Sequence, residues 1–76
     1  MKEVLEIIIK NLVSKPEEVK ITEKAEQRST TLEVKVANDD MGKVIGKEGK
    51  IAKAIRGVMK AVATKEGKRV TVEFID

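Results

Sequence analysis

The middle of the chain contains the turn Val44-Ile45-Gly46-Lys47-Glu48-Gly49, which separates two segments with helical spacing. Gly46 and Gly49 carry no Cβ, so the main chain can turn tightly and another molecule can approach the N–H groups that begin the second helix. Lys47 adds a positive charge at the tip. The stretch predicts two helices joined by an open turn suited to a phosphodiester chain, with Val44 and Ile45 on one wall of a shallow apolar groove.

Helices are predicted on both sides of this turn. A short one begins near Met41 and ends at Gly46, and residues 38–40 (Asn-Asp-Asp) supply side chains for its N-cap. A long one begins at Lys50, with Gly67 as its C-terminal cap. The predicted apolar face of the long helix comprises Ile51, Ile55, Val58, Met59 and Val62. A second face, called the basic stripe below, comprises Lys50, Lys53, Arg56 and Lys60.

The outer segments predict one further helix and three strands. An amphipathic helix over residues 2–14 ends before Pro16, and its isoleucines are expected in the core. Alternating apolar and polar residues predict strands over residues 19–27, 31–36 and 70–74, the first two forming an antiparallel hairpin. The order α-β-β-α-α-β predicts a single α+β domain over residues 1–76, with the helices packed on one face of a three-stranded sheet.

Composition excludes several classes of chemistry. The 76 residues are too few for a large enzyme cleft, and the absence of cysteine and histidine removes disulfides, zinc-type ligand sets and an imidazole base. We therefore expect no enzymatic activity, no metal and no cofactor. The N-terminus has only three consecutive isoleucines before a lysine, which is too short for a signal-peptide core or a membrane span. We expect a cytoplasmic protein with no membrane partner.

The positive charge is concentrated around the turn. Residues 1–40 carry seven basic and nine acidic groups, residues 41–60 carry six basic and one acidic, and residues 61–76 carry three of each. The local charges are thus −2, +5 and 0, in agreement with the total of +3. A field of this kind attracts an anionic partner such as nucleic acid, although a charge run is also common on a solvated face.

The turn and its flanks resemble the KH family, whose signature is a Val/Ile-Ile-Gly-x-x-Gly turn between two helices. The resemblance covers essentially the whole chain and is carried by residues 41–50 together with Ala52-Lys53-Ala54-Ile55-Arg56. The element order looks like the type II KH domain, in which an added helix and strand precede the core. The resemblance implies a three-stranded mixed sheet with three helices on one face, and binding of single-stranded RNA.

The resemblance also implies roles for individual residues. The turn residues that clamp the RNA backbone would be Gly46, Lys47, Glu48 and Gly49. The residues of the base-facing groove or its floor would be Val44, Ile45, Ala52 and Ile55. In the basic stripe, Lys50 and Lys53 are nearest the turn and are the candidates for phosphate contact, while simple solvation is the alternative for the whole stripe.

Three residues depart from the common pattern. Many KH domains have a bulky aliphatic residue where Ala52 stands, so a shallower groove and weaker base preference are expected. Glu48 places a negative charge beside Lys47 at the tip of the turn. Gly57 costs roughly 1 kcal/mol relative to alanine in a helix, which indicates close approach by another element or a partner.

Two other kinds of site do not fit the sequence. The glycine spacing does not match a nucleotide-binding P-loop, and the serines have no histidine to activate them for hydrolysis. An ordinary helix connection remains an alternative for the turn. A protein-interaction module, used for dimerisation or docking with incidental RNA contact, remains an alternative for the chain. The KH resemblance implies a homodimer, a complex with a larger KH-containing protein, or both, in an RNA chaperone linked to cell-envelope growth and cell length. No small-molecule substrate is expected.

Overall fold

The computed structural model describes residues 1–75, and its elements follow the predicted order. The helices are α1 (Lys2–Leu12), α2 (Met41–Ile45) and α3 (Lys50–Lys65). The strands are β1 (Lys20–Ala25), β2 (Ser29–Lys35) and β3 (Arg69–Ile75). Single 3₁₀ turns occupy Pro16–Glu18, Asn38–Asp40 and Lys47–Gly49.

The three strands form one mixed sheet in the order β1-β2-β3. β1 and β2 are antiparallel, as the hairpin prediction requires, whereas β2 and β3 are parallel. Leu32 occupies the centre of the sheet, paired with Glu23 on one side and Val72 on the other. The parallel pair needs a long crossover, which α2 and α3 supply. The α+β class and the mixed sheet are confirmed.

The core lies between one face of the sheet and the helices. Along β2 the side chains of Thr30, Leu32 and Val34 are buried, while the alternating Thr31 and Glu33 are partly exposed. This alternation means that the helices cover only one face. The core cluster comprises Leu5, Ile9, Ile21, Leu32, Val34, Val36, Val44, Ile55, Met59 and Val72.

The buried stripe of each long helix is narrower than predicted. In α1, Ile7 is 63% exposed and only Leu5 and Ile9 are fully buried, so the prediction that all the isoleucines are core residues is wrong. In α3, Ile51 and Val58 are exposed. The buried residues of α3 are Ala52, Ile55, Met59 and Ala63. Two of these four residues are alanines, whereas the larger side chains of Ile51 and Val58 lie outside the buried stripe.

The predicted N-cap of α2 is also wrong, because no side chain caps this helix. Asp40 is instead fully buried, and its carboxylate accepts hydrogen bonds from the N–H groups of Ser14 and Lys15, each at 3.0 Å. Lys43 Nζ lies 3.2 Å from the same carboxylate. The Ser14 hydrogen bond, followed by those from Lys15 and Lys43, lowers the pKa of Asp40 against the opposing effect of burial. Asp40 thus ties α2 to the chain that leaves α1.

The ends of α1 and α3 have clear causes. α1 stops at Leu12, two residues before the predicted end, because Val13 is extended (φ −96°, ψ 159°). At the end of α3, Gly67 adopts φ +71° and the N–H of Lys68 donates to Ala63 O at 2.9 Å. This backbone arrangement is typical of a glycine C-cap, so the predicted role of Gly67 is confirmed.

Candidate nucleic-acid interface

The turn between α2 and α3 begins at a position that only glycine fits. Gly46 has φ +77° and ψ 173°, and its N–H donates to Gly42 O at 2.9 Å, which ends α2. A Cβ at this position would lie 2.6 Å from Ile51 Cγ1 and 2.9 Å from Ile51 Cβ. Because Ile51 Cβ is fixed by its backbone, a change of rotamer does not remove the clash. Gly46 is therefore required by both conformation and packing.

The tip of the turn has a different character. Glu48 (φ 59°, ψ 23°) and Gly49 (φ 73°, ψ 15°) are both left-handed, and Glu48 is exposed. A Cβ on Gly49 would meet nothing within 4 Å. The N–H groups of Gly49 and Lys50 donate to Gly46 O and Lys47 O, so the N–H groups of Lys47 and Glu48 take no part in the bonds of this turn. The tip thus offers open space and main-chain donors to a ligand.

The electrostatic environment of the turn is positive. Lys47, Lys50 and Lys53 are exposed, and none of them pairs with a carboxylate among residues 1–75. They surround the N-terminus of α3, whose 16 residues align their peptide dipoles with the positive end at the turn. Glu48 is the acidic group at the tip and offsets part of this field. The arrangement favours an anion at the outer surface of the turn.

The predicted groove residues fall into two groups by solvent exposure. Val44, Ala52 and Ile55 are 0%, 2% and 4% exposed, so they support the surface beside the turn from below and present almost no area themselves. Ile45 is half-buried, and Ile51 is 37% exposed beside Gly46. Helical spacing predicted Ile51 on the apolar face of the long helix, whereas the buried residue at this end of α3 is its neighbour Ala52. Ile45 and Ile51 are the apolar side chains available to a ligand at this end of α3.

The farther residues of the basic stripe lie beside β3. Arg56 Nε donates to Val72 O at 3.1 Å, and the guanidinium lies 5.4 Å from the centroid of the Phe74 ring, within the range of a cation–π contact. Lys60 is one turn farther along and is exposed. The structure therefore brings Lys50 and Lys53 to the turn, whereas Arg56 is engaged with β3.

Comparison with known proteins gives the family of this chain. The family model for the KhpA/KhpB KH domain matches residues 2–74. The chain belongs to the KhpA/KhpB family of KH domains. The proteins named RNA-binding protein KhpA from Clostridium perfringens and Clostridium acetobutylicum are each 60% identical to it over 75 residues, which cover 99% of this chain and 100% of each relative. The protein of the same name from Caldanaerobacter subterraneus is 52% identical over the same coverage.

KH membership confirms the resemblance that residues 41–56 suggested. Within residues 1–75 of this KH domain, none of the helices has the length and apolar content needed to cross a membrane. The same residues contain no group of three or more acidic side chains, histidines or cysteines placed to hold a metal ion.

Proposed function

We propose that this KH domain binds single-stranded RNA at the turn between α2 and α3. The observation that carries the proposal is the left-handed tip at Glu48 and Gly49, with Glu48 exposed, next to the N-terminus of α3 and three lysines that form no ion pair within residues 1–75. RNA phosphates would meet the free N–H groups of Lys47 and Glu48 and the side chains of Lys47, Lys50 and Lys53. Membership of a family whose relatives are named RNA-binding proteins supports the same conclusion.

The bases would lie against the apolar surface beside the turn. A KH turn clamps about four nucleotides. Ile45 and Ile51 would contact the bases, while Val44, Ala52 and Ile55 form the floor beneath them. These side chains carry no hydrogen-bonding groups, so base selectivity is expected to be low. Three or four phosphate contacts predict a slope of roughly −2 to −3 for log affinity against log salt concentration.

The test is a charge change at the tip that keeps both glycines. Lys47→Asp combined with Glu48→Asp should weaken binding of a short oligouridylate, because it replaces the attraction of Lys47 by repulsion. Lys2→Asp combined with Glu3→Asp is the matched control, since it makes the same charge change at the start of α1. Circular dichroism would establish that both variants are folded. Equal RNA affinity of the turn variant and the control would refute the assignment of the turn.

The resemblance to the KH family also suggests a broader role, which goes beyond the geometry. We propose that the protein is cytoplasmic and acts as an RNA chaperone, as a homodimer or in a complex with KhpB, in post-transcriptional control of cell-envelope growth and cell length. A single site of four nucleotides binds weakly, and a second KH subunit would raise the effective concentration. Co-purification with KhpB and cell length after deletion of the gene are the direct tests.

A protein-interaction module is the second candidate, and exposed apolar side chains favour it. Ile7 in α1 is 63% exposed and Val58 in α3 is 47% exposed, while a Cβ on Gly57 would meet nothing within 4 Å. If Lys47→Asp with Glu48→Asp abolishes RNA binding but leaves the protein complexes intact, the two functions are separate. Ile7→Lys should have the reverse effect if a protein partner binds at the exposed side of α1.

A further inference from the structure

A second group of cations lies at the opposite end of α3 from the turn. Arg28, in the β1–β2 turn, lines an open depression of about 500 Å³ with Lys68, which precedes β3, and Arg69, the first residue of β3. Lys60 lines an adjoining depression of about 440 Å³ with the same two residues. We call Arg28, Lys60, Lys68 and Arg69 the distal cluster. All four side chains are exposed.

Backbone hydrogen bonds hold these like charges together. The N–H of Arg69 donates to Arg28 O at 2.8 Å, and the N–H of Lys68 donates to Ala63 O at 2.9 Å. None of the four takes part in an ion pair within residues 1–75. Two acidic residues are close to the cluster in the sequence: Glu26 in the β1–β2 turn, and Glu66, whose carboxylate lies 3.9 Å from the N-terminal ammonium group. The fold therefore maintains a positive site that the described residues leave without a paired anion.

The basic stripe connects the turn with the distal cluster. Lys53, Arg56 and Lys60 follow each other by about one helical turn along α3, which is roughly 24 Å long. Arg56 is held against Val72 at the edge of β3, and Lys60 lines the second depression beside Thr71. An extended anion leaving the turn along this side of α3 would thus meet positive charge along the whole helix.

We propose that the distal cluster binds phosphates of the same single-stranded RNA that enters at the turn, and so extends the footprint beyond four nucleotides. The proposal rests on the proposed function of the turn. A chain of phosphates fits the site better than one small anion, because the four cations are spread over two adjoining depressions. The hydroxyl groups of Ser29 and Thr71, which line these depressions, can donate hydrogen bonds to phosphate oxygens.

The experiment compares oligouridylates of two lengths, about 4 and about 12 nucleotides, of which only the longer exceeds the span of a KH turn. The test variant is Arg28→Gln with Arg69→Gln. The control is Lys20→Gln with Lys35→Gln, an equal loss of charge at an exposed, directly paired position elsewhere in the sheet. Arg28→Gln and Arg69→Gln change only the side chains, so the test variant retains the backbone hydrogen bond between residues 28 and 69. Binding would be measured by fluorescence anisotropy from 0.05 to 0.5 M salt, values that span about one decade for the slope.

The expected result is a length-dependent loss of affinity. Each phosphate contact on a single strand raises the binding affinity by a factor of about 5 at 0.1 M salt relative to 1 M salt. Losing two contacts should therefore lower the affinity for the long oligomer about 25-fold at 0.1 M salt. The salt slope for the long oligomer should become less negative by about 1.4. The short oligomer should bind the test variant and the parent equally, and the control should bind both oligomers like the parent.

Two contrary results can be told apart. If the short oligomer binds Lys47→Asp with Glu48→Asp as tightly as the parent, the turn is not the RNA site and both proposals fall. If that variant loses the short oligomer while Arg28→Gln with Arg69→Gln binds the long one as tightly as the control, the extended footprint is refuted and the turn assignment stands.

Discussion

Replacing Gly46 by alanine tests the physical basis of the turn most directly. The position combines φ +77° with ψ 173°, a region occupied essentially by glycine alone, and occupying it costs another residue about 1–3 kcal/mol. The added Cβ would also lie 2.6 Å from Ile51 Cγ1 and 2.9 Å from Ile51 Cβ. Overpacking of this kind costs about 1–3 kcal/mol. Gly46→Ala should therefore lower the free energy of unfolding by roughly 2–6 kcal/mol.

Gly49→Ala is the matched control, because Gly49 has a similar φ of +73° but an added Cβ would meet no atom within 4 Å. Only the left-handed conformation is penalised there, at about 1–2 kcal/mol. The effect of alanine on the unfolded chain is common to both variants and leaves their difference unchanged. A protein of this size has a free energy of unfolding of roughly 4–11 kcal/mol, so Gly46→Ala should remove a large part of the stability.

Thermal unfolding followed by circular dichroism gives the comparison. A domain of this size loses about 4–8 °C in Tm per kcal/mol, so Gly46→Ala should melt at least about 8 °C below the parent and clearly below Gly49→Ala. The physical reasoning about Ile51 would be refuted if the two alanine variants melted at the same temperature. A second check is Gly46→Ala with Ile51→Ala, which removes Ile51 Cγ1 and should lower the Tm by less than the two single changes combined.

Three further predictions concern stability and charge. Gly57→Ala should raise the free energy of unfolding by about 1 kcal/mol, measured by urea titration, because the residue lies within α3 and an added Cβ meets nothing. Asp40→Asn should lower the Tm at pH 7 more than Asp39→Asn, because two backbone N–H groups bond to the buried carboxylate. Because folding lowers the pKa of Asp40, its ionised carboxylate stabilises the fold above the unfolded pKa near 3.8, and this stabilisation is lost as the pH falls through the folded pKa. The difference in Tm between the parent and Asp40→Asn should therefore disappear in acid. Glu48→Gln should tighten RNA binding and make it more dependent on salt, since the negative charge at the tip is removed; unchanged affinity in anisotropy would contradict this.

The elements of this fold were predictable, since each depends on a local pattern. Period-two alternation gave the strands, and the glycines placed the end of α2 and the end of α3. The buried face of α3 was not fully predictable, because it includes two alanines and leaves out larger apolar residues. Ala52 and Ala63 are buried, and helical spacing gives alanine no more weight than its larger neighbours.

Long-range contacts account for the remaining errors at the site. The three polar residues before α2 suggested local capping, whereas Asp40 bonds to Ser14 and Lys15, about 25 residues earlier in the chain. Local pattern also gave no indication that Arg56 would bond to Val72 O or that Arg28 would lie beside Arg69. The position of the turn was predictable because glycine limits the backbone locally. The groups that surround it come from the tertiary structure.

The hydrogen bond from Arg56 to Val72 O has a consequence for self-assembly. β3 is an outer strand of the sheet, and an unpaired outer strand is a template for pairing with a strand of another molecule. A strand arriving there would have to displace the guanidinium from Val72 O and from the Phe74 ring before the sheet could grow. The Arg56 side chain therefore hinders edge-to-edge aggregation of the protein.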